Sequence, residues 1–508
     1  YDGQQFDCEF SRDVRYLSVS DYAYSLRLGG GPPGTTSEEF NPPPSFEEHH
    51  HFVPANISLE EAINLSYVPI QQLLDGYDHE KLAPPKTRNS MMQDEFKDEY
   101  IKAEFREIAG IRKHGTYEEV FIPKGRKPIT CRWVYDLKRD SEGTIVLFKA
   151  RLVVHGFKQM EGIDFQKTFS STIQMRTFRM LVAISVQLGM KLTQYDISNA
   201  FLNGTLKEEV YMDFPPGYSK GKEGKCWKLL KGLYGLKQAS RLWQETLYAA
   251  LKELGLSVCK TESGVLHYRC PKTGDLVLVA CWVDDLIVST KNERLRELIE
   301  NKLEEHFISK TLGPLSLYVG VVVDIDDVGN AELHQGPYNG RMIKKYLQPG
   351  YRPSSIPARS TERLSKIDSP ATYEERKKID YPYINATGSI LYSAICTRPD
   401  IFYATMQLAK FNSNPGEKHV EASKMLLRYI GGTQEEGIKF RKDPDFDGKL
   451  RIKAYVDSDW GGDPDTRRST VGFIVHINGG PVSWKSKTLK TIALSSCEAE
   501  FMALSEVC

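Results

Sequence analysis

Residues 276–289 read LVLVACWVDDLIVS, two apolar runs too short for helices and separated by Val283-Asp284-Asp285. Such a segment is expected to fold as two buried strands, 276–282 and 286–289, with a pair of carboxylates at the apex between them. Carboxylates buried side by side are costly, because like charges at short range raise each other's pKa and desolvation penalises both. An exposed turn avoids the cost through water, and a buried one through a divalent cation; the hairpin by itself leaves both readings open. A third aspartate, Asp196, ends a short strand expected over 192–196, and the chain then turns away with Phe201 five residues later. With Asp196 beside the hairpin, three hard oxygen ligands would converge, a set suited to Mg2+ bridging substrate phosphates.

The 508 residues, 40% hydrophobic and 26% charged, suffice for about three domains of ordinary globular composition. No stretch approaches the ~18 consecutive apolar residues of a membrane span, so no membrane partner is expected. Nine cysteines without a Cys-x-x-Cys pair fit neither a disulfide framework nor a zinc site, which points to a reducing compartment. The formal charge is zero, yet residues 1–80 hold fourteen acidic residues against three basic ones, so the remainder is basic. Within it, residues 121–160 carry nine Lys and Arg against three acidic residues. That distribution suits a polyanionic partner, and equally a solvated face.

Residues 1–85, with Gly29-Gly30-Gly31-Pro32-Pro33-Gly34 and Pro42-Pro43-Pro44, read as an acidic leader or linker containing one short helix over 59–74. The adjacent His49, His50 and His51 are given no role. From Asp94 onward Ile101, Phe105 and Ile108 recur at helical spacing, and the helix should stop near Gly115. Residues 132–137 and 145–154 read as a hairpin turning at Ser141-Glu142-Gly143; Lys149 and Arg151, two residues apart, share one face of its second strand. A helix is expected over 176–188 with Gly189 as its stop. Near the end of the chain a strand over 452–456 delivers Asp457, a hairpin turns at Asn478-Gly479-Gly480, and a helix from Ala493 carries Glu498 and Glu500.

QYDISNAFLNGTLKEEVYM (194–212), LYGLKQASRLW (233–243) and WVDDLIV (282–288) resemble the three central polymerase motifs of copia-type retrotransposon reverse transcriptases. PKGRKPITCRWVYDLKRDSEG (123–143), KARLVVHGF (149–157), TRPDI (397–401) and LLRYIGGT (426–433) resemble the family's flanking blocks, so the likeness runs from about residue 86 to 508. The resemblance implies an α+β fold: a right-hand polymerase of fingers, palm and thumb over 86–345, a connection over 346–448, and the N-terminal part of a ribonuclease H-like α/β fold over 449–508. Residues 315–323 resemble the segment that grips the primer, and 381–432 the helical part of the connection.

The implied activity is RNA-directed DNA polymerisation, the addition of deoxynucleotides to a primer on an RNA or DNA template. The resemblance makes Asp196, Asp284 and Asp285 the catalytic carboxylates and the ligands of two Mg2+ ions, with Mn2+ as a substitute. It places Lys149 and Arg151 on the incoming phosphates, and Phe201 on the floor of the sugar pocket, where the ring would clash with a 2′-hydroxyl. Lys237 and Gln238 fall in the nucleotide and template contact block. Asp457 and Glu500 match the first two metal carboxylates of ribonuclease H, with Glu498 and Asp459 accessory; a site so short of ligands predicts no cleavage of hybrid by this fragment. The implied partners are an RNA template, a DNA primer, the RNA–DNA hybrid, deoxynucleoside triphosphates and other segments of the Pol polyprotein. The implied location is intracellular, in a cytoplasmic virus-like particle with later access to the nucleus. The competing reading is a retroelement remnant that binds nucleic acid or protein without synthesis, against which the intact Asp196, Asp284, Asp285, Lys149 and Arg151 argue. Trp282 and Ser170-Ser171 depart from the family's usual residues without removing a charge or a ligand.

Overall fold

The amphipathic segment at 97 forms α1 (Lys97–Lys113), which ends at His114 with Gly115 following at φ +60°. It packs its buried Tyr100, Ala103 and Ile111 toward the first strands, β1 (Tyr117–Phe121), β2 (Cys131–Arg139) and β3 (Ile145–Val154). These coordinates, a computed structural model, describe residues 70–79, 81–139, 144–359 and 363–507, all within one compact unit, Ile63–Cys508. The glycine, proline and histidine clusters, most of the helix expected over 59–74 and the turn at 141–143 lie outside the described residues. β2 and β3 pair antiparallel, Val134 opposite Arg151 and Asp136 opposite Lys149. Strict alternation buries Phe148, Ala150, Leu152 and Val154 and leaves Lys149 and Arg151 on the open face. The free edge of β3 is met by side chains of α1: Arg106 donates to the Phe148 carbonyl at 3.0 Å, and Leu152 N donates to Glu107 at 3.3 Å.

α2 (Met175–Leu188) stops at Gly189, whose left-handed backbone (φ +61°) closes the helix and releases β4 (Lys191–Ile197). β5 (Thr205–Met212) and β6 (Lys225–Lys231) join β1 in a small sheet of order β1-β6-β5. After α3 (Ala239–Glu253) come β7 (Ser257–Val258), β8 (Val265–Arg269), β9 (Leu276–Trp282) and β10 (Asp285–Thr290), then α4 (Glu293–His306) and β11 (Ser309–Pro314). The six-stranded sheet runs β11-β4-β10-β9-β8-β7, with every pairing antiparallel. One face packs Tyr195, Ile197, Leu286 and Val288 against α3 and α4; the other packs Leu192 and Ile287 against α2. The carboxylates thus sit at the ends of the two central strands of a sheet covered on both sides.

β12 (Leu317–Tyr318), β13 (Val321–Ile325) and β14 (Ala331–His334) form a second sheet, whose fourth strand, β15 (Ile438–Phe440), arrives only after the helices α5 (Tyr383–Cys396), α6 (Phe402–Ala409) and α7 (Glu417–Gly432). The pairing of β14 with β15 therefore bridges the residue-345 boundary read from the sequence. β16 (Ile452–Asp459), β17 (Thr470–Ile477) and β18 (Gly480–Thr488) form a meander whose second turn, Asn478-Gly479, has both residues at positive φ, 46° and 86°. The last helix, α8 (Ser496–Val507), begins three residues later than expected, at Ser496 rather than Ala493. The cause is capping: the Ser495 hydroxyl accepts from Glu498 N at 3.1 Å, and the Glu498 carboxylate reaches back to Leu494 N at 2.6 Å.

One buried cation ties these parts together. Arg179 on α2 donates to the carbonyls of Val482 (2.7 Å), Ile395 (2.6 Å) and Cys396 (2.9 Å), and its guanidinium lies 3.8 Å from the centre of the Trp484 ring. The Trp484 indole donates in turn to Ala394 O at 2.9 Å. Burial pulls the Arg179 pKa down to about 9, and the carbonyls at the C-terminal end of α5 supply the balancing negative potential. We expect Arg179→Met to leave three buried carbonyls without their donor and to lower the unfolding free energy by roughly 2–4 kcal/mol in chemical denaturation. A loss below about 0.5 kcal/mol would mean that those carbonyls do not depend on the guanidinium.

Candidate active site

The antiparallel register of β4 and β10 sets Asp196 directly opposite Asp285, and Ile197 N donates to Asp284 O at 3.0 Å. Residues directly opposite share a face, so Asp196, Asp285 and Gln194 project to the same side of the sheet. Asp285 is not at the apex, as the sequence reading had it; it opens β10 opposite Trp282, and the two-residue turn is Val283-Asp284. The reason is that pairing runs past the apolar residues, Asp285 being matched by Trp282 on β9 and by Asp196 on β4. Val283 sits in the left-handed region at φ +55°, a strained position for a β-branched residue.

All three aspartates are half-buried. Burial pushes the Asp284 carboxyl up, the Asp196 charge adds to this, and Arg151 and Lys149 oppose it. Asp285 is pushed up to about 6, first by burial and then by Asp284 and Asp196, while a hydrogen bond from Gln194 opposes the rise. The Lys149 ammonium is pulled down, chiefly by burial and then by Arg151, with Glu107 and Asp284 acting the other way. The cationic face of β3 and the carboxylates of β4 and β10 therefore lie within electrostatic reach of each other. Arg151 also meets Asp136 at 3.4 Å on its own hairpin.

Among the described residues no group of three or more His, Cys, Asp or Glu side chains is arranged to hold a metal ion by itself, and Asp196, Asp284 and Asp285 fall under that statement. Their chemistry nevertheless fits a divalent cation: three hard oxygen donors, two of them with raised pKa values caused by burial and mutual repulsion, which a cation would relieve.

Phe201 lies on the 3₁₀ turn after β4, half-buried, with Tyr234 edge-on at 4.8 Å between ring centres. Lys237 is exposed, its ammonium 4.3 Å from the centre of the Phe165 ring. Gln238 is buried and its amide is spent inside the protein, accepting from Gln159 at 3.0 Å and donating to Asp164 O at 2.7 Å. The structure thus gives Gln238 a bracing place under its loop, with no free face toward the carboxylates. The residue of that block that feels their charge is Tyr234. Its hydroxyl is pushed up to about 12, first by burial and then by Asp284, with Glu107 and Asp196 adding and Arg151 opposing. Tyr234 is held by its backbone, Val154 N donating to its carbonyl at 2.8 Å, and the next residue must be glycine: a Cβ on Gly235 would lie 2.1 Å from Val154 O. Sequence reasoning missed Tyr234 and Glu107. Tyr234 stood inside a quoted motif; Glu107, half-buried with its pKa raised by burial and opposed by Lys149 and Arg151, carried no signal beyond its place on α1.

At the far end of the chain, Asp457 is exposed on β16 opposite Gly472, while Glu500 accepts from Ser458 N (3.2 Å) and Ser458 Oγ (2.7 Å). Ser458 follows Asp457, so strand alternation turns the two side chains to opposite faces. Glu498 is spent on the start of α8, and Asp463 and Asp465 anchor this loop through Lys410 (2.7 Å) and Ser365 (2.6 Å).

Residues 114–360 match the family model described as reverse transcriptase (RNA-dependent DNA polymerase). The chain is 35% identical over 427 residues to the retrovirus-related Pol polyprotein from transposon TNT 1-94 of Nicotiana tabacum, covering 83% of this chain and 32% of that protein. It is 34% identical over 380 residues to the retrovirus-related Pol polyprotein from transposon RE1 of Arabidopsis thaliana, covering 74% of this chain and 25% of that protein. The chain thus spans a third or less of those relatives. It is also 30% identical over 313 residues to the putative transposon Ty5-1 protein of Saccharomyces cerevisiae, covering 61% of this chain and 98% of that protein. On these grounds the chain belongs to the reverse transcriptase family of copia-type retrotransposon Pol polyproteins.

Proposed function

We propose that this chain adds deoxynucleotides to the 3′ end of a primer on an RNA or DNA template. The observation that carries the reading is the β4–β10 register, which sets Asp196 opposite Asp285 and beside Asp284, within electrostatic reach of Lys149 and Arg151. Asp196, Asp284 and Asp285 would hold the divalent ions, Mg2+ with Mn2+ as a substitute. Bound there, such ions would lower the pKa of the primer hydroxyl and offset charge on the leaving pyrophosphate. Lys149 and Arg151, fixed on the open face of β3, orient the triphosphate and screen its charge. Phe201 and Tyr234 form an aromatic wall for the sugar, the ring of Phe201 excluding a 2′-hydroxyl and the hydroxyl of Tyr234 supplying a polar contact. Primer and template are held through phosphate and sugar contacts by the basic 121–160 segment, since a copying enzyme must accept every base. No helix among the described residues is long and apolar enough to cross a membrane.

Asp196→Asn removes a ligand's charge and almost no volume. Primer extension on an RNA template is expected to fall by about 10³-fold or more while primer–template affinity stays within about twofold. Extension within about tenfold of wild type would sink the assignment.

Phe201→Ala is expected to narrow the preference for deoxy- over ribonucleotides by about tenfold or more, because a steric exclusion is removed. Unchanged discrimination by an active variant would return Phe201 to plain core packing.

Tyr234→Phe deletes one hydroxyl from the pocket. Single-nucleotide kinetics should show the deoxynucleotide KM raised roughly five- to tenfold with kcat nearly unchanged. A KM equal to that of wild type would remove the hydroxyl from the nucleotide site.

A further inference from the structure

The turn that carries Asp284 is strained, and both of its carbonyls are held from outside the hairpin. Val283 occupies the left-handed region at φ +55°, where its branched Cβ is crowded, and the relaxed alternative is a different turn. The Asp284 carbonyl is held by Ile197 N from β4. The Val283 carbonyl is held by a side chain forty residues away in the chain: Trp243 on α3 donates its indole Nε1–H at 2.5 Å. Trp243 is 2% exposed, with Phe307 edge-on at 5.0 Å between ring centres, so the ring has no freedom to swing. The approach of α3 to this corner is itself built in. Gly204, just after the 3₁₀ turn that bears Phe201, lies so near α3 that a Cβ would stand 2.8 Å from Leu242 Cβ and 2.9 Å from Trp243 N.

We infer that Trp243 is a positioning residue for the polymerase carboxylates: its indole N–H locks the Val283-Asp284 turn in the strained form that presents Asp284 and Asp285 beside Asp196. Trp243 bonds the backbone of the turn through its indole N–H. It acts on the carbonyl of the residue before Asp284, so it bears on the rate of the chemical step and leaves the binding of primer, template and nucleotide to other groups. Glycine in place of Val283 tolerates φ +55° without a crowded Cβ, and such a turn needs the indole far less. The inference rests on the polymerase reading for its kinetic consequence and on the hydrogen bond alone for its structural one.

The test uses the full chain with three changes: Trp243→Phe, Val283→Gly and the two together. A fourth variant carries benzothienylalanine at 243, which keeps the indole outline and puts sulfur where the N–H was. Amide exchange at Ile197, followed by mass spectrometry, reads the turn whether or not the chain polymerises, and primer extension reads its consequence. Loss of the indole donor is expected to speed Ile197 exchange and to lower kcat on the order of tenfold, with the nucleotide KM and primer–template affinity within about twofold. In the Val283→Gly background the same change at 243 is expected to cost less than about threefold. Unchanged Ile197 exchange in the benzothienylalanine variant overturns the inference even where Trp243→Phe fails to fold. So does an equal kcat loss in the Val283 and Gly backgrounds. A wild-type chain that extends no primer overturns the polymerase reading instead, and the exchange measurement still decides whether Trp243 holds the turn.

Discussion

The pairing register of β4 with β10 is the constraint on which the site depends, and the charges it gathers work against it. A slip of one residue would send Asp285 to the other face of the sheet and away from Asp196. What prevents the slip is apolar burial on both sides: Ile287 must face α2, and Leu286 and Val288 must face α3 and α4, all three with no exposed surface. Burying three such side chains contributes roughly 5–9 kcal/mol. Repulsion between partly solvated carboxylates costs about 1–4 kcal/mol at contact range. Packing therefore wins, and the sheet holds three negative charges where electrostatics alone would separate them. Burial first, and the neighbouring carboxylates after it, push the Asp284 and Asp285 carboxyls up.

The opposing cations are held by a different device. β3 has one strand partner, so its outer edge leans on α1 through Arg106 and Glu107, and α1 is anchored by a buried carboxylate. Glu104 accepts from Arg88 (3.1 Å), Tyr135 (2.5 Å) and Tyr218 (3.0 Å), joining the helix, β2 and the loop after β5 at one point. Burial raises the Glu104 pKa and those donors lower it, so the network keeps its geometry only while every partner is present. Lys149 and Arg151 inherit their direction from this frame by strand alternation.

What the sequence made legible was local. Gly189 ends α2, the i, i+4, i+7 spacing marks α1, and the alternation in β3 predicts the shared face of Lys149 and Arg151, because each depends on neighbours within a few residues. The three aspartates were legible as a set through the order of the motifs. What stayed hidden depends on distant packing. Tyr234 comes within reach of the aspartates' charge once β3 holds its backbone through Val154 N, and Gln238, four residues on, is spent on Gln159 and Asp164 instead. Trp243 stood in the same motif as an ordinary helix aromatic until α3 brought its N–H to Val283. The opening of β10 was read one residue late, at Leu286 rather than Asp285, because strand pairing, not apolar composition, decides where the strand begins.

Cores and sequence segments also divide this chain differently. One apolar cluster collects Phe178 and Val182 from α2, Leu333 from β14, Cys396 from α5, Phe440 from β15 and Trp484 from β18, so the final meander shares a core with the sheet that bears the aspartates. The meander is asymmetric as a result. Its β18 side is sealed by Arg179 and Trp484, while Ile452 and Tyr455 on β16 and Phe501 and Leu504 on α8 are exposed. Rotating the meander away from α2 and α5 would take the Val482 carbonyl and the Trp484 ring from the guanidinium and break the Trp484 bond to Ala394 O, a cost of several kcal/mol before any compensating contact forms. A module meant to swing on a linker would place water-tolerant groups at that joint. The buried arginine instead fixes the meander against the sheet that bears the aspartates, and anything that binds its open side is held at a set distance from Asp196.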